Sequence, residues 1–470
     1  MKKAISLILS IAVLLSCFAM PSYADSADFS LEAESAILID LTTGKVLYEK
    51  NADDPHYPAS TTKMMTVILA LENLNLDNIL YIDDEVHATT GSVLGLKREE
   101  EISAKDVLYA TMVRSANDGA VALAKAVSGS VDNFSQVMNR KAKQLGCTGT
   151  NFVNPHGLHN DEHVSTARDL AIIGRYCMDQ SEYSDTFRKI VQLTDYTVPA
   201  TNKNEAYTVV NTNYLLNDEQ DKNRIYVGNE LRYCKYEGCI GVKTGYTSQA
   251  GGCLVAAAER DGTELLSVVL KSSTYGRFAD SIKLLDWAFA NFRTLQCTYA
   301  GSILEDTVQV KRGAFNKVGL KVQDDIFYTI PSEASDSIIH TKLTVSESVK
   351  APVEAGQPLG KLEVFEGELK VGETDVVASE SIEKGGVLSI FGVEDATAHR
   401  IFLWTEIVIG LFVASVTAWV IYKRREMKRK KAVKAARIKA QKEEEERRRQ
   451  MWIKSYDEVR YGRHDDDDRY

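Results

Sequence analysis

Apolar residues fall into stretches whose spacing changes several times along the chain, and each change predicts a different kind of element. Lys2 and Lys3 precede an apolar run over residues 4–15, then Pro21 and the triplet Ser22-Tyr23-Ala24, the pattern of a secretory leader cleaved after Ala24. Residues 36–40 and 45–48 are short β-rich runs around Thr42-Thr43-Gly44, which predicts a hairpin. From Ser60 onward, Met64, Met65, Val67, Ile68, Leu69, Leu71 and Leu74 make a helix that is apolar on most sides and therefore belongs in the interior. Residues 104–190 read as several helices with loops at Asn154-Pro155 and Gly157. Strand signals return at 240–243, 252–258 and 265–270, and a helix over about 278–292 closes the unit. Strands early and late with helices between them predict one sheet built from both ends of the domain.

Beyond about residue 298 the pattern alternates, as in Val308-x-Val310, Leu320-x-Val322 and Leu362-x-Val364, with Gly313, Gly356, Gly360, Gly367 and Gly372 between the runs. This predicts a separate small all-β domain. A second long apolar run covers residues 401–422 and, at 1.5 Å per helical residue, reaches about 33 Å, enough for a bilayer core. Only Glu406 interrupts it; Trp404 marks one end, Trp419 and Tyr422 the other, and Lys423-Arg424-Arg425 and Lys428 to Lys431 follow at once. Basic residues directly after a span place that side in the cytoplasm. The expected order is a leader (1–24), a first domain (25–297), a β-rich domain (298–395), a transmembrane helix (401–422) and a charged cytoplasmic tail (423–470). A rival reading of Leu14-Leu15-Ser16-Cys17 as a lipid-attachment site would duplicate the downstream anchor.

The formal charge of −10 over 470 residues hides a partition. The leader carries +2, and residues 423–470 hold 18 Lys and Arg against 11 Asp and Glu, net +7. The stretch between holds 36 against 55, net −19. No basic cluster in it offers a face for duplex nucleic acid. In the tail, Glu443 to Glu446 precede Arg447 to Arg449 at i,i+4, which predicts a charged helix that touches anionic headgroups or docks a partner.

Three motifs stand in order in the first domain: Ser60-Thr61-Thr62-Lys63, Ser115-Ala116-Asn117 and Lys243-Thr244-Gly245. Each alone is a weak signal, with a cap, a turn or a strand end as the plain alternative. Their joint occurrence in one exported chain is specific. Residues i and i+3 share a helix face, so Lys63 can reach the Ser60 hydroxyl. A lysine serves as base at neutral pH only when its ammonium form is disfavoured, and burial, a helix N-terminus and a second cation, Lys243, all do that. Ser115 can relay a proton, and Asn117 can hydrogen-bond both the lysine and a substrate amide. Gly245 leaves room for a substrate against the strand backbone. The N–H groups of Ser60 and Tyr246 can form an oxyanion hole.

With its surroundings (Pro58-Ala59-Ser60-Thr61-Thr62-Lys63-Met64, Ser115-Ala116-Asn117-Asp118, Asn154-Pro155-His156-Gly157-Leu158 and Gly241-Val242-Lys243-Thr244-Gly245-Tyr246-Thr247) the set resembles the low-molecular-weight penicillin-binding proteins, serine D-alanyl-D-alanine carboxypeptidases. The resemblance covers residues 30–295, and residues 298–390 resemble that family's C-terminal domain. It implies an α+β penicillin-recognising fold with an antiparallel sheet and a helical subdomain, no cofactor and no metal. Ser60 would be acylated by a peptidoglycan pentapeptide or by a β-lactam, with Lys63 accepting its proton and Ser115 and Asn117 as the second-motif pair. Lys243, with Thr244, would hold the substrate's terminal carboxylate, and Arg277, in Tyr275-Gly276-Arg277-Phe278, would help. Tyr246 stands where some relatives have His, and a spanning helix with a 48-residue tail replaces the amphipathic anchor common in the family.

Rival readings are a β-lactamase, a transpeptidase with the same motifs, and a non-catalytic membrane scaffold. A class A β-lactamase would need a Glu-x-x-x-Asn element about where Asn151 stands. His159-Asn160-Asp161-Glu162-His163 fits an inverted zinc-protease pattern, yet it follows Pro155 and Gly157 and reads as loop. Of the six cysteines after the leader, Cys234 and Cys239 flank a short turn and are open either to a disulfide or to free thiols.

Overall fold

The computed structural model describes residues 29–216 and 223–461, so the predicted leader lies outside the described residues. Two compact units divide the chain. The first comprises Met1–Gly301, Val322–Thr344 and Lys361–Thr374; the second comprises Ser302–Lys321, Val345–Gly360 and Asp375–Tyr470.

In the first unit, β1 (Ser35–Asp40) and β2 (Val46–Lys50) form the expected hairpin, turned at Gly44 with φ +76°. A 3-10 turn (Ala59–Thr62) leads directly into α1 (Lys63–Asn73). Short segments follow: β3 (Ile79–Tyr81), α2 (Asp84–His87) and β4 (Glu101–Ser103). The helical subdomain comprises α3 (Ala104–Arg114), α4 (Asn117–Ser128), α5 (Val131–Gln144), α6 (Ala167–Arg175) and α7 (Ser184–Val191). Ser103, Ser130 and Thr166 cap α3, α5 and α6, each accepting a hydrogen bond from the N–H three residues on. Two short hairpins, β5 (Asp195–Val198) with β6 (Tyr207–Val210) and β7 (Arg224–Val227) with β8 (Glu230–Tyr233), escaped the sequence pattern because four-residue, half-exposed strands carry little periodicity.

The remaining strands, β9 (Cys239–Thr247), β10 (Gly251–Arg260) and β11 (Thr263–Ser272), join the first two in an antiparallel five-stranded sheet of order β2-β1-β11-β10-β9. Both chain ends of the domain supply it, as the pattern predicts. Because helices cover both faces, its strands read as unbroken apolar runs rather than alternating ones. Ile37, Val255, Val268 and Leu270 face a core shared with α1, whose residues 63–71 are all buried. Ala36, Leu38, Leu254 and Val269 face the other core, closed by α8 (Gly276–Asn291) through Phe278, Ile282 and Leu285. The strand β9 is one of the two edges, and the turn bearing Ser60 lies against it at Gly245.

The strand β12 (Phe292–Thr298) leaves α8 and pairs with β15 (Ile326–Pro331). Buried Asp40 accepts from the hydroxyls of Thr294 at 2.6 Å and Thr329 at 2.7 Å, so first-unit packing continues past the change of texture near residue 298. In the second unit β13 (Ile303–Lys311) pairs antiparallel with β14 (Lys317–Val322) and parallel with β17 (Ser348–Lys350). Counting also β16 (Ile339–Val345), β18 (Pro358–Glu366) and β19 (Leu369–Ala378), which fall partly in the first unit, residues 303–378 are all-β apart from one 3-10 turn. The chain then enters α9 (Asp395–Tyr461), a helix with an apolar, unburied window long enough to cross a membrane.

Candidate active site

Three of the tightest backbone positions in the first unit coincide with the three motifs. Ala59, just before Ser60, has φ +47°; Ser115 has φ +65°; Val242, just before Lys243, has φ +109°. Left-handed backbone is costly for side chains other than glycine and persists only where packing imposes it. At β9 the cause is a bulge: the register with β10 shifts between Ala257 and Ala258, and the extra residue re-aims Lys243.

Ser60 lies on the 3-10 turn and Lys63 opens α1, one turn later. The Lys63 Nζ is 2.8 Å from Ser60 Oγ, 2.8 Å from Asn117 Oδ1 and 2.8 Å from the His156 carbonyl oxygen. Asn117 and the His156 carbonyl can only accept at those atoms. A neutral amine has two hydrogens, so both are committed there and its lone pair is left for the Ser60 O–H. The environment favours that neutral form. Full burial pushes Lys63 well below its usual range, the charge of Lys243 pushes it the same way, and Asp118 opposes them.

Asn117 therefore meets the lysine as expected, but one of its amide hydrogens is already spent on the Thr90 carbonyl at 2.8 Å. The neighbouring Asp118, buried, accepts from the N–H groups of Leu94, Gly95 and Leu96, which clamps that loop beside the second motif. Ser115 is nearly buried, and its hydroxyl makes no hydrogen bond among the described residues.

Lys243 is buried, with no carboxylate beside it among the described residues, and its Nζ donates to the Thr244 carbonyl at 3.1 Å. Burial, and then the nearby Arg277 charge, bring it down to about 7. Arg277 donates from Nη1 to the Gly245 carbonyl at 2.6 Å, and its buried Nε has no partner among the described residues. Two cations thus stand at the end of the site with no anion between them. The Thr244 hydroxyl is 2.6 Å from that of Thr212.

The Cβ direction at Gly245 is filled by the protein itself, since a Cβ there would lie 3.0 Å from both the Pro58 oxygen and the Ser60 nitrogen. Glycine is needed because β9 and the Ser60 turn touch. Tyr246 is more than half exposed at the rim.

The sequence placed a loop at Asn154-Pro155 and Gly157, but not the role of its backbone. Asn154 Oδ1 accepts from the Gly157 N–H at 2.7 Å, a turn signal legible in Asn-Pro-x-Gly, and this presents the His156 carbonyl to Lys63. His163 lies beneath. Its Nδ1 accepts from the Val153 N–H at 3.0 Å, which leaves Nε2–H for Thr62 Oγ1 at 2.9 Å. Burial and the Lys63 charge lower it to about 4, so it is a neutral brace under the nucleophile turn. His159 is on the same loop, its Nε2 3.3 Å from an Asp161 carboxylate oxygen. Cys234 and Cys239 are thiols rather than a disulfide.

The family model described as D-alanyl-D-alanine carboxypeptidase matches residues 22–274, and that of the penicillin-binding protein 5 C-terminal domain matches residues 292–384. The carboxypeptidase DacF of Bacillus subtilis is 32% identical over 83% of this chain and 97% of its own. DacA of Haemophilus influenzae is 34% identical over 71% and 80%. The crystal structure of penicillin binding protein 5 from Haemophilus influenzae superposes with a TM-score of 0.60 at 31% identity, covering 76% of this chain and 99% of that one. Sequence, fold and a lysine-serine pair at hydrogen-bond distance agree, and the chain belongs to the D-alanyl-D-alanine carboxypeptidase family of serine peptidases.

Proposed function

We propose that Ser60 is the residue acylated when this carboxypeptidase acts on a peptidoglycan pentapeptide. The Ser60 Oγ attacks the penultimate D-alanine carbonyl while its proton passes to the lone pair of Lys63 Nζ. The C–N bond breaks, and the terminal D-alanine leaves as its amine takes a proton relayed from Lys63 by Ser115. Water then hydrolyses the ester, activated by the same lysine. The N–H groups of Ser60 and Tyr246 face the carbonyl oxygen as it becomes an oxyanion. Lys243, Thr244 and Arg277 hold the terminal carboxylate, and Asn117 contacts the substrate amide with its remaining N–H.

The observation that carries this reading is the Lys63–Ser60 contact at 2.8 Å, with the other two bonds of Nζ fixed on obligate acceptors. β-Lactams would acylate the same hydroxyl. Intact-protein mass spectrometry with labelled penicillin tests it: one adduct is expected on the wild type and none on Ser60→Ala. An adduct that survives the substitution removes Ser60 from the mechanism.

The same reading places residues 25–297 and the β-rich 298–395 outside the cell, residues 401–422 across the membrane and the tail from 423 in the cytoplasm. The basic run after Tyr422 supports that orientation, and the length and exposure of the apolar window in α9 support the span.

A further inference from the structure

Three large apolar side chains stand in solvent in the second unit: Val387 is 78% exposed, Ile390 58% and Phe391 79%. They project from a single 3-10 turn, Val387–Phe391. The turn is not a loose connector. Ser389 is buried and its hydroxyl donates to the Gly386 carbonyl at 2.6 Å; the N–H groups of Ser389, Gly392 and Val393 are bonded inside the turn. The Asp395 carboxylate accepts from the Gly386 N–H at 2.8 Å, and the Asp395 N–H donates to the Ala314 carbonyl at 3.0 Å. Asp395 is also the first residue of α9. The apolar turn is therefore fastened to the start of the helix that carries the membrane-length window.

Position decides what covers these side chains. From Asp395 to Ile401, where the apolar window opens, is six residues, about 9 Å along a helix. Polar His399 and Arg400 come just before that opening, at the level where headgroups meet acyl chains, and Ile401, Phe402, Leu403 and Trp404 are exposed like the turn itself. An apolar surface on a water-soluble unit marks a binding surface, and one covalently continuous with a span lies at interfacial depth. The N–H groups of Ser389, Gly392 and Val393 already have partners within the turn, so entering that layer strands none of these three.

Resting on the reading of 401–422 as a span, we propose that Val387, Ile390 and Phe391 enter the interfacial layer of the leaflet on the catalytic side. The second unit is then held on the bilayer at two points, the helix and the turn, which restricts its rotation about the helix. The occupant is lipid rather than a protein or a second copy of this chain.

The test uses the full chain in phosphatidylethanolamine–phosphatidylglycerol vesicles, with p-benzoylphenylalanine placed in turn at Phe391, at Phe412 within the window and at exposed Tyr226 on the catalytic unit. Penicillin labelling reports that each variant is folded. After irradiation, mass spectrometry is expected to find phospholipid adducts at 391 and 412 in similar yield and none at 226. Adducts at 412 alone overturn the proposal and leave the span intact; adducts at neither position overturn both. A crosslink from 391 to protein in place of lipid also overturns it.

Discussion

A Cβ on Gly245 would sit 3.0 Å from the backbone nitrogen of Ser60, so the third motif forms one wall of the turn that carries the nucleophile. The two motifs, 185 residues apart in sequence, are in backbone contact. Displacing either moves the other, and catalysis depends on sub-ångström placement.

Gly245→Ala is expected to slow acylation by penicillin about 10- to 100-fold with little change in melting temperature, because its neighbours need yield only a few tenths of an ångström. Gly157→Ala differs in kind. Its φ is +81° and its Cβ would fall 1.8 Å from the Ala59 carbonyl oxygen. We expect it to cost about 2–4 kcal/mol in urea unfolding, and a normal midpoint would show that this loop does not brace the turn.

If Thr244 holds the terminal carboxylate as proposed, Thr212 positions it: a carboxylate only accepts, so Thr244 donates to it and in turn accepts from Thr212, 2.6 Å away. Asn211 and Asn213 fix that segment by accepting from nearby backbone N–H groups. Thr212→Val is expected to raise KM for a D-Ala-D-Ala peptide about fivefold at unchanged kcat, and Thr212→Ser to restore it. Equal losses of kcat in both variants would contradict the role.

The pH profile of kcat/KM should be bell-shaped: Lys63 must be neutral, which sets the acid limb, and Lys243 must be charged to hold a carboxylate, which sets the alkaline limb near its value of about 7. Arg277 lowers Lys243 by repulsion. Arg277→Gln should therefore move the alkaline limb to higher pH while reducing kcat/KM. A limb that stays in place would detach it from Lys243.

Lys243 also links stability to pH. Its folded value, about 7, lies below the unfolded value of about 10.4, so the unfolded chain binds more protons between those limits and stability rises with pH across them. Below 7 the buried charge is a standing cost. Lys243→Met is expected to raise the melting temperature by about 5 °C at pH 6 and by much less at pH 10, as differential scanning calorimetry would show.

Much of this was legible in the residues. The apolar saturation of α1 announced a central helix, and the strand runs before and after the helices announced a single sheet. The motif residues Ser60, Lys63, Asn117 and Lys243 could be named because their chemistry is carried by side-chain type and order. The His156 carbonyl could not, since a backbone oxygen has no letter in the sequence. Thr212 was passed over and His163 read only as part of a loop for a related reason: a hydroxyl and an imidazole acquire meaning only from what lies within 3 Å of them.

The sequence by itself determined the long elements, the charge partition into −19, +7 and +2, and the three side-chain chemistries of the site. Only the tertiary structure decided how they meet. On the proposed reading a region of net −19 repels an anionic substrate end on average, and attraction falls to Lys243 and Arg277, buried together without a counter-ion among the described residues. That arrangement rests on close contact between segments far apart in the chain. Contact of that kind follows from packing, which composition and periodicity do not encode.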